Sequence, residues 1–203
     1  MRENTENKHD DQILVKKILS GESSAFSTII SNTEGLVAQI VFKMIPGKED
    51  RKDIAQDVYL KAFQSLSGFR YQSKISTWIA QICYNTCINY LEKRKLVFPD
   101  NHSTGEYSDD EILELLSTRN GPQYSETENI IFQKDLSEIL KSQLDKLSPV
   151  YKTLITLYHN EELSYSEIAE ITGLPEGTIK NYLFRARKEL RDNILQTYKK
   201  EAL

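Results

Sequence analysis

The sequence predicts an all-α protein: two small helical domains joined by an acidic linker, the C-terminal one a helix-turn-helix. Glycine (8) and proline (5) are scarce among 203 residues, while Leu, Ile, Lys and Glu are plentiful, and Leu, Lys and Glu lose little freedom in a helix. Apolar residues recur at helical spacing in two tracts. Between the tracts the chain turns to Asp, Ser, Gly and Asn (PDNHSTGEYSDD, then STRNGPQYSETE), a composition that buries too little to fold alone.

Taken in order, residues 1–11 read as a disordered leader. They are charged and polar (Arg2, Glu3, Lys8, Asp10, Asp11), which excludes a secretory signal. Residues 12–98 form the first helical domain, interrupted at Ile45-Pro46-Gly47-Lys48 and at Ser67-Gly68-Phe69. Within it, a helix over residues 49–66 turns Ile54, Val58, Ala62 and Leu66 inward and leaves Asp53, Gln56, Asp57, Leu60, Lys61 and Gln64 outside. A helix over residues 77–95 buries Ile79, Ile82, Cys83 and Ile88 and ends in Lys93-Arg94-Lys95. Residues 99–128 are the linker, with room for a short helix over 111–116, and residues 129–203 form the second domain.

Several function classes are excluded at this level. The most apolar stretch, residues 36–45, is short and broken by Gln39 and Lys43, so no membrane insertion is expected; the expected location is cytoplasmic. Cys83 and Cys87 lie four apart on one helix, far from the three histidines, and read as buried thiols rather than a metal site. No metal or cofactor is expected. Neither a Ser/His/Asp or Cys/His grouping nor a glycine-rich phosphate loop is visible, so the chain does not read as an enzyme and no small-molecule substrate is expected.

The net charge of −4 hides a pattern. Residues 51–98 hold eight Lys/Arg against three acids, and residues 177–200 hold seven against two. Residues 99–148 between them hold four against eleven. Two basic segments flanking an acidic one bear on partners more than the sum does.

The second domain carries the sharper signal. Ser148-Pro149 is a helix start, and Ser164-Tyr-Ser-Glu167 is a capping box. Gly173 supplies a left-handed turn after the helix over 165–172, and Pro175 opens the next helix. Ala169, Gly173 and Ile179 stand where two crossing helices need a small residue, a turn and an aliphatic lock. On the second helix, Ile179, Leu183, Ala186 and Leu190 form the buried stripe. Lys180, Asn181, Phe184, Arg185, Lys188 and Arg191 form the outer face, with Arg187 at its flank. The cations suit phosphates and Asn181 or Arg185 suits base edges. Phe184, read as outward-facing, suits a thymine methyl or a sugar.

In the first domain, the loop from Ser67 to Trp78 interleaves Phe69, Tyr71 and Trp78 with Arg70 and Lys74. Stacking faces beside cations are what unpaired bases need. Leu60 within a polar rim suggests a protein contact.

Asp53–Leu91 (DIAQDVYLKAFQSLSGFRYQSKISTWIAQICYNTCINYL) resembles region two of bacterial extracytoplasmic-function (ECF) sigma factors of the sigma-70 family. Leu147–Leu190 (LSPVYKTLITLYHNEELSYSEIAEITGLPEGTIKNYLFRARKEL) resembles their region four. The resemblance implies an RNA polymerase sigma factor. Its partners would be core RNA polymerase, promoter DNA and an anti-sigma factor. By position it implies that Asp53, Gln56, Asp57, Leu60 and Lys61 bind polymerase. Phe69, Ile82 and Asn85 match the pocket for a flipped minus-ten base, with Arg70, Tyr71, Lys74 and Trp78 beside the single strand. Lys180, Asn181, Phe184, Arg185 and Arg187 match the helix that reads the minus-thirty-five duplex, and Thr178 and Lys188 are counted with them. The linker would thread the RNA exit path. Ile75, Ser76, Tyr84 and Tyr158 depart from the family pattern, in which the first is usually phenylalanine and the others are often basic. A stand-alone helix-turn-helix regulator accounts for the second domain equally well, but leaves the aromatic loop and the Gln56-Asp57 helix unused.

Overall fold

A computed structural model describes residues 3–94 and 139–201, and among these residues the regular structure is entirely helical. Helices α1 (Glu3–Leu19), α2 (Phe26–Met44), α3 (Lys48–Ser65) and α4 (Ile75–Lys93) build the first half. A helical stretch over residues 139–146 leads into α5 (Pro149–His159), α6 (Tyr165–Thr172) and α7 (Glu176–Glu201). The expected linker, with its short helix over 111–116, lies outside the described residues, as do the first ten residues of the expected second domain.

The expected leader is the first correction. Residues from Glu3 onward belong to α1, where Val15 and Ile18 are buried. The Asp11 carboxylate accepts a hydrogen bond from the Ile75 amide at 2.9 Å, at the start of α4. A polar composition hid this tie, because one carboxylate capping a distant helix start leaves no periodic signal.

Helix α2 packs Ile29, Val37, Ile40, Val41 and Met44 inward. It stops at Ile45, which is extended (φ −103°, ψ 114°) because the Pro46 ring disfavours a helical residue before it. Arg51 ties this turn down, donating from Nε to the Ile45 carbonyl at 2.7 Å and from Nη2 to that of Pro46 at 3.3 Å. Helix α3 buries Ile54, Val58 and Ala62, as its spacing predicts, and Leu66 follows in the next turn. Helix α4 is buried at nine positions, from Ile75 to Leu91, because α2 and α3 cover one side of it and α6 another. Cys83 and Cys87 lie inside as free thiols. Hydrogen bonding with Cys87, aided by burial, holds the Cys83 thiol protonated well above its ordinary 9.0, so it is unreactive.

The second half follows its punctuation closely. Ser148 caps α5, accepting from the Tyr151 amide at 3.3 Å, with Pro149 in the first turn. Seven of the eleven α5 residues are buried, since it lies between α2 and α7. The Ser164–Glu167 capping box forms with both of its hydrogen bonds. Gly173 ends α6 at φ 71°, its amide donating to the Ala169 carbonyl at 2.8 Å.

The two halves pack on each other, α5 against α2 and α6 against α4. Val15, Ile40 and Ile79 of the first half and Leu154, Ile168 and Leu183 of the second belong to one contiguous apolar cluster. No atom lies within 4 Å of a Cβ built on Gly173, so substitution there meets backbone strain alone. Gly173→Ala is expected to cost about 1 kcal/mol, read as a lower denaturation midpoint with unchanged slope.

Candidate nucleic-acid interface

The loop between α3 and α4 is shaped by its aromatics. Phe69 is buried, its ring centroid 4.9 Å from Tyr71 and 5.2 Å from Trp78. Tyr71 holds a left-handed backbone (φ 56°), an unfavourable conformation for an aromatic residue that its surroundings must impose. Arg70 is exposed and Trp78 half-buried. Together they line a cavity of about 370 Å³ with Gly68, Phe69, Thr77 and Gln81. Ile82 and Asn85, further along α4, are not among its lining residues. Ile82 packs against the core and Asn85 faces solvent.

The second half reaches this cavity. Glu170 of α6 lines it, and Glu167 pairs with Lys74, Oε1 to Nζ at 3.2 Å. Burial pushes the Glu167 carboxyl up, but hydrogen bonds from Ser164 and the pairing with Lys74 outweigh it, leaving the group below its ordinary 4.5. Two acids of one half thus stand beside the aromatic, basic loop of the other. Sequence reading missed both, since Glu167 was already accounted for as a cap.

On α3, Asp53, Gln56 and Leu60 are exposed, Leu60 at 55%. Asp57 and Lys61 are half-buried and paired at 2.7 Å, and Lys61 also donates to Thr86 Oγ1 at 3.3 Å. Phe63 adds 43% exposure to the same face. Helical spacing could have found it, because it falls outside the stripe of Ile54, Val58 and Ala62.

On α7, Ile179, Leu183 and Ala186 are fully buried and Leu190 half-buried. Lys180 and Lys188 are exposed, and Thr178, Asn181, Arg185 and Arg187 are half-buried. Phe184 is a second correction: only 7% of it is exposed, so it is not an outward-facing residue. Burying a phenylalanine is worth roughly 2 kcal/mol, and the buried arc of α7 is wider than the single stripe its spacing indicates.

The α7 cations rest on an aromatic shelf. Tyr158 and Tyr165 stack at 5.0 Å and 14°. Lys180 Nζ lies 5.4 Å from the Tyr165 centroid, and the Arg187 guanidinium 5.2 Å from that of Tyr158. Arg187 Nε also donates to His159 Nε2 at 3.3 Å.

Tyr158 therefore has a packing role where a basic residue is frequent. Tyr84 and Ile75 are likewise buried. Burial, with Tyr182 of α7 nearby, pushes the Tyr84 hydroxyl up to about 12.

The description "Sigma-70 region 2" fits residues 29–97, and "Sigma-70, region 4" fits residues 137–190. The ECF RNA polymerase sigma-E factor of Escherichia coli K12 is 31% identical over 189 residues, covering 92% of this chain and 94% of that protein. The chain belongs to the ECF RNA polymerase sigma factors. The sigma-E factor of Haemophilus influenzae is also 31% identical, over 91% of this chain and 95% of its own.

Two solved structures share the fold of this sigma factor. One is CnrH in complex with the cytosolic domain of CnrY (TM-score 0.58, 21% identity, 90% of this chain and 95% of that one). The other is the sigma factor RpoE in complex with the anti-sigma factor NepR from Bartonella quintana (TM-score 0.56, 19% identity, 83% and 96%). As an ECF sigma factor, the chain works in transcription initiation with RNA polymerase and promoter DNA. Its family is non-catalytic, and no described helix is long and apolar enough to cross a membrane.

Burial, together with the Arg187 charge, lowers the His159 pKa below its ordinary 6.5. A histidine whose pKa is lower in the folded than in the unfolded chain contributes stability that is present above pH 6.5 and lost as pH falls through its lowered folded value. His159→Gln is therefore expected to flatten the acid limb of a stability–pH curve, measured by thermal unfolding between neutral and mildly acidic pH.

Proposed function

We propose that this sigma factor reads a promoter at two points, each half of the chain supplying one. Residues 12–98 would bind core polymerase and the minus-ten element, residues 129–203 the minus-thirty-five duplex, and residues 99–128 would join them. Asp53, Gln56, Asp57, Leu60 and Lys61 engage polymerase. An open face with an apolar centre at Leu60 and Phe63 suits a protein partner better than a nucleic acid. Phe69, Arg70, Tyr71, Lys74, Trp78, Ile82 and Asn85 melt and hold the minus-ten strand. The observation that carries this is the aromatic cavity with Arg70 at its edge, which offers a stacking face beside a phosphate partner. Flipping a base costs a few kcal/mol, and stacking offsets about 1–3 kcal/mol of it.

Thr178, Lys180, Asn181, Arg185, Arg187 and Lys188 engage the minus-thirty-five duplex, with Asn181 and Arg185 at base edges. Phe184, being buried, shapes the helix from within and leaves the thymine-methyl role unfilled. The protein acts in the cytoplasm, where polymerase is. An anti-sigma factor is a further expected partner, in line with the NepR complex of the structurally similar RpoE.

The packed arrangement supports a further step. Two elements centred twenty-five base pairs apart lie about 85 Å apart along B-form DNA, whereas Lys74 and Glu167 are in contact at 3.2 Å. The halves must therefore separate before both elements are bound, and the carboxylates of Glu167 and Glu170 must leave the loop that receives the single strand.

Transcription from a promoter library with purified core polymerase tests the reading. Start-site selection above core alone is expected, and its absence would sink it. Sequence-specific duplex binding with no effect on core would instead favour a stand-alone regulator. Leu60→Glu should weaken core association at least tenfold, measured by fluorescence anisotropy, with duplex affinity retained. Arg185→Ala should weaken duplex binding by about 1–3 kcal/mol. Asn85→Ala should impair melting and spare duplex affinity. Equal losses from both variants in both assays would reject the division of labour.

A further inference from the structure

A second cavity lies where the two halves meet, away from the loop and from the outer face of α3. It measures about 420 Å³ and sits between the end of α2, the end of α4 and the start of α5. Its apolar walls come from Met44, Ile45, Leu91 and Pro149, with the half-exposed ring of Phe42 beside them. Three cations face it: Lys43, Arg51 and Lys152.

Those cations are unusually placed. Arg51 lies flat on Phe42, its guanidinium 4.1 Å from the ring centroid, and Lys43 Nζ is 5.8 Å from the same centroid. Lys152 comes from the other half and donates to the Asp145 backbone carbonyl at 3.2 Å. Among the described residues none of the three is in an ion pair. Asp145 is the only carboxylate-bearing residue among those lining the cavity. Burial, with the charges of Lys43 and Arg51, lowers the Lys152 pKa despite Asp145. Gathering three like charges at an apolar cleft is unfavourable in the empty protein and favourable once an anion enters.

We propose that this cleft binds an amphiphilic small anion, an apolar body about the size of a fused aromatic ring carrying one carboxylate or phosphate-ester charge. The volume is that of a small-molecule pocket. The apolar walls take the body, and Lys43, Arg51 and Lys152 take the head. A cleft of this volume, partly open to solvent, holds one compact ligand, whereas a peptide needs an extended groove. Because α2 and α5 each supply part of the cleft, the bound anion stabilises the packed arrangement and opposes separation of the halves. Its binding does not depend on the promoter-reading proposal; its regulatory consequence does.

The test uses the full chain and isothermal titration with naphthoate, its neutral counterpart naphthamide, and inorganic phosphate. Naphthoate is expected to bind at one site and raise the melting temperature, with naphthamide and phosphate each at least about tenfold weaker. Lys43→Gln/Lys152→Gln should weaken naphthoate about tenfold, while Lys43→Arg/Lys152→Arg, which keeps the charge and guards against a folding defect, should retain it. Lys17→Gln, on exposed α1 surface, should change nothing. No naphthoate binding, equal binding of naphthamide, or equal binding of phosphate would each overturn the proposal. An acidic, apolar peptide that binds where naphthoate does not would reassign the cleft to a protein partner and overturn it as well. Should naphthoate bind as expected yet leave promoter-dependent transcription unchanged, the site stands and its coupling to opening is rejected.

Discussion

The arrangement depends on one constraint: α5 and α6 bury apolar faces that their own half cannot cover completely. In α5, Val150, Leu154 and Leu157 are almost wholly inaccessible, and so are Ile168 and Ile171 in α6. The remaining cover comes from α2 and α4. Each such side chain is worth about 1.5–3 kcal/mol when fully buried, whereas a partly exposed ion pair such as Lys74–Glu167 contributes about 0–1 kcal/mol. Apolar packing therefore supplies the adhesion between the halves. The ion pair supplies register, setting α6 against the start of α4.

That packing determines which surfaces stay open. The outer face of α3, with Leu60 and Phe63, lies away from the contact and remains exposed. The aromatic loop does not, because Glu167 and Glu170 reach it. Under the proposed function, polymerase can engage before the halves part, while the single strand cannot. Order of assembly then follows from the packing geometry.

Much of the fold was legible because local signals agreed. Ser148-Pro149, the Ser164–Glu167 box and Gly173 each mark a boundary through backbone chemistry: α5 begins at the first, and α6 begins at the second and ends at the third. The inward residues of α3 followed from period alone. What the sequence concealed depends on long-range contact. Asp11 capping α4, the Tyr158–Tyr165 shelf under Arg187, and the acids beside Lys74 pair residues far apart in the chain. Phe184 failed for a related reason: a helical wheel assigns one buried stripe, and a helix covered on more than one side has a wider one. The geometry of the candidate site was partly legible. Aromatic residues alternating with cations located the loop, but of these Phe69, Arg70 and Trp78 line the cavity and Tyr71 and Lys74 do not.

The charge pattern gains meaning from the same packing. Under the proposed function, acids of α6 beside the loop make the closed chain compete with nucleic acid for the same cations. Salt acts unequally on that competition. Among the described residues the closed contact contains one direct ion pair, Lys74–Glu167, and rests mainly on apolar burial, which moderate salt leaves largely intact. Promoter binding releases a counterion for each phosphate neutralised, so its affinity falls steeply with salt. Rising ionic strength therefore shifts the balance toward the closed chain. A net charge of −4 is compatible with this: the acids that offset the basic segments include the two that stand against the basic loop, whose place DNA would take under the proposed function.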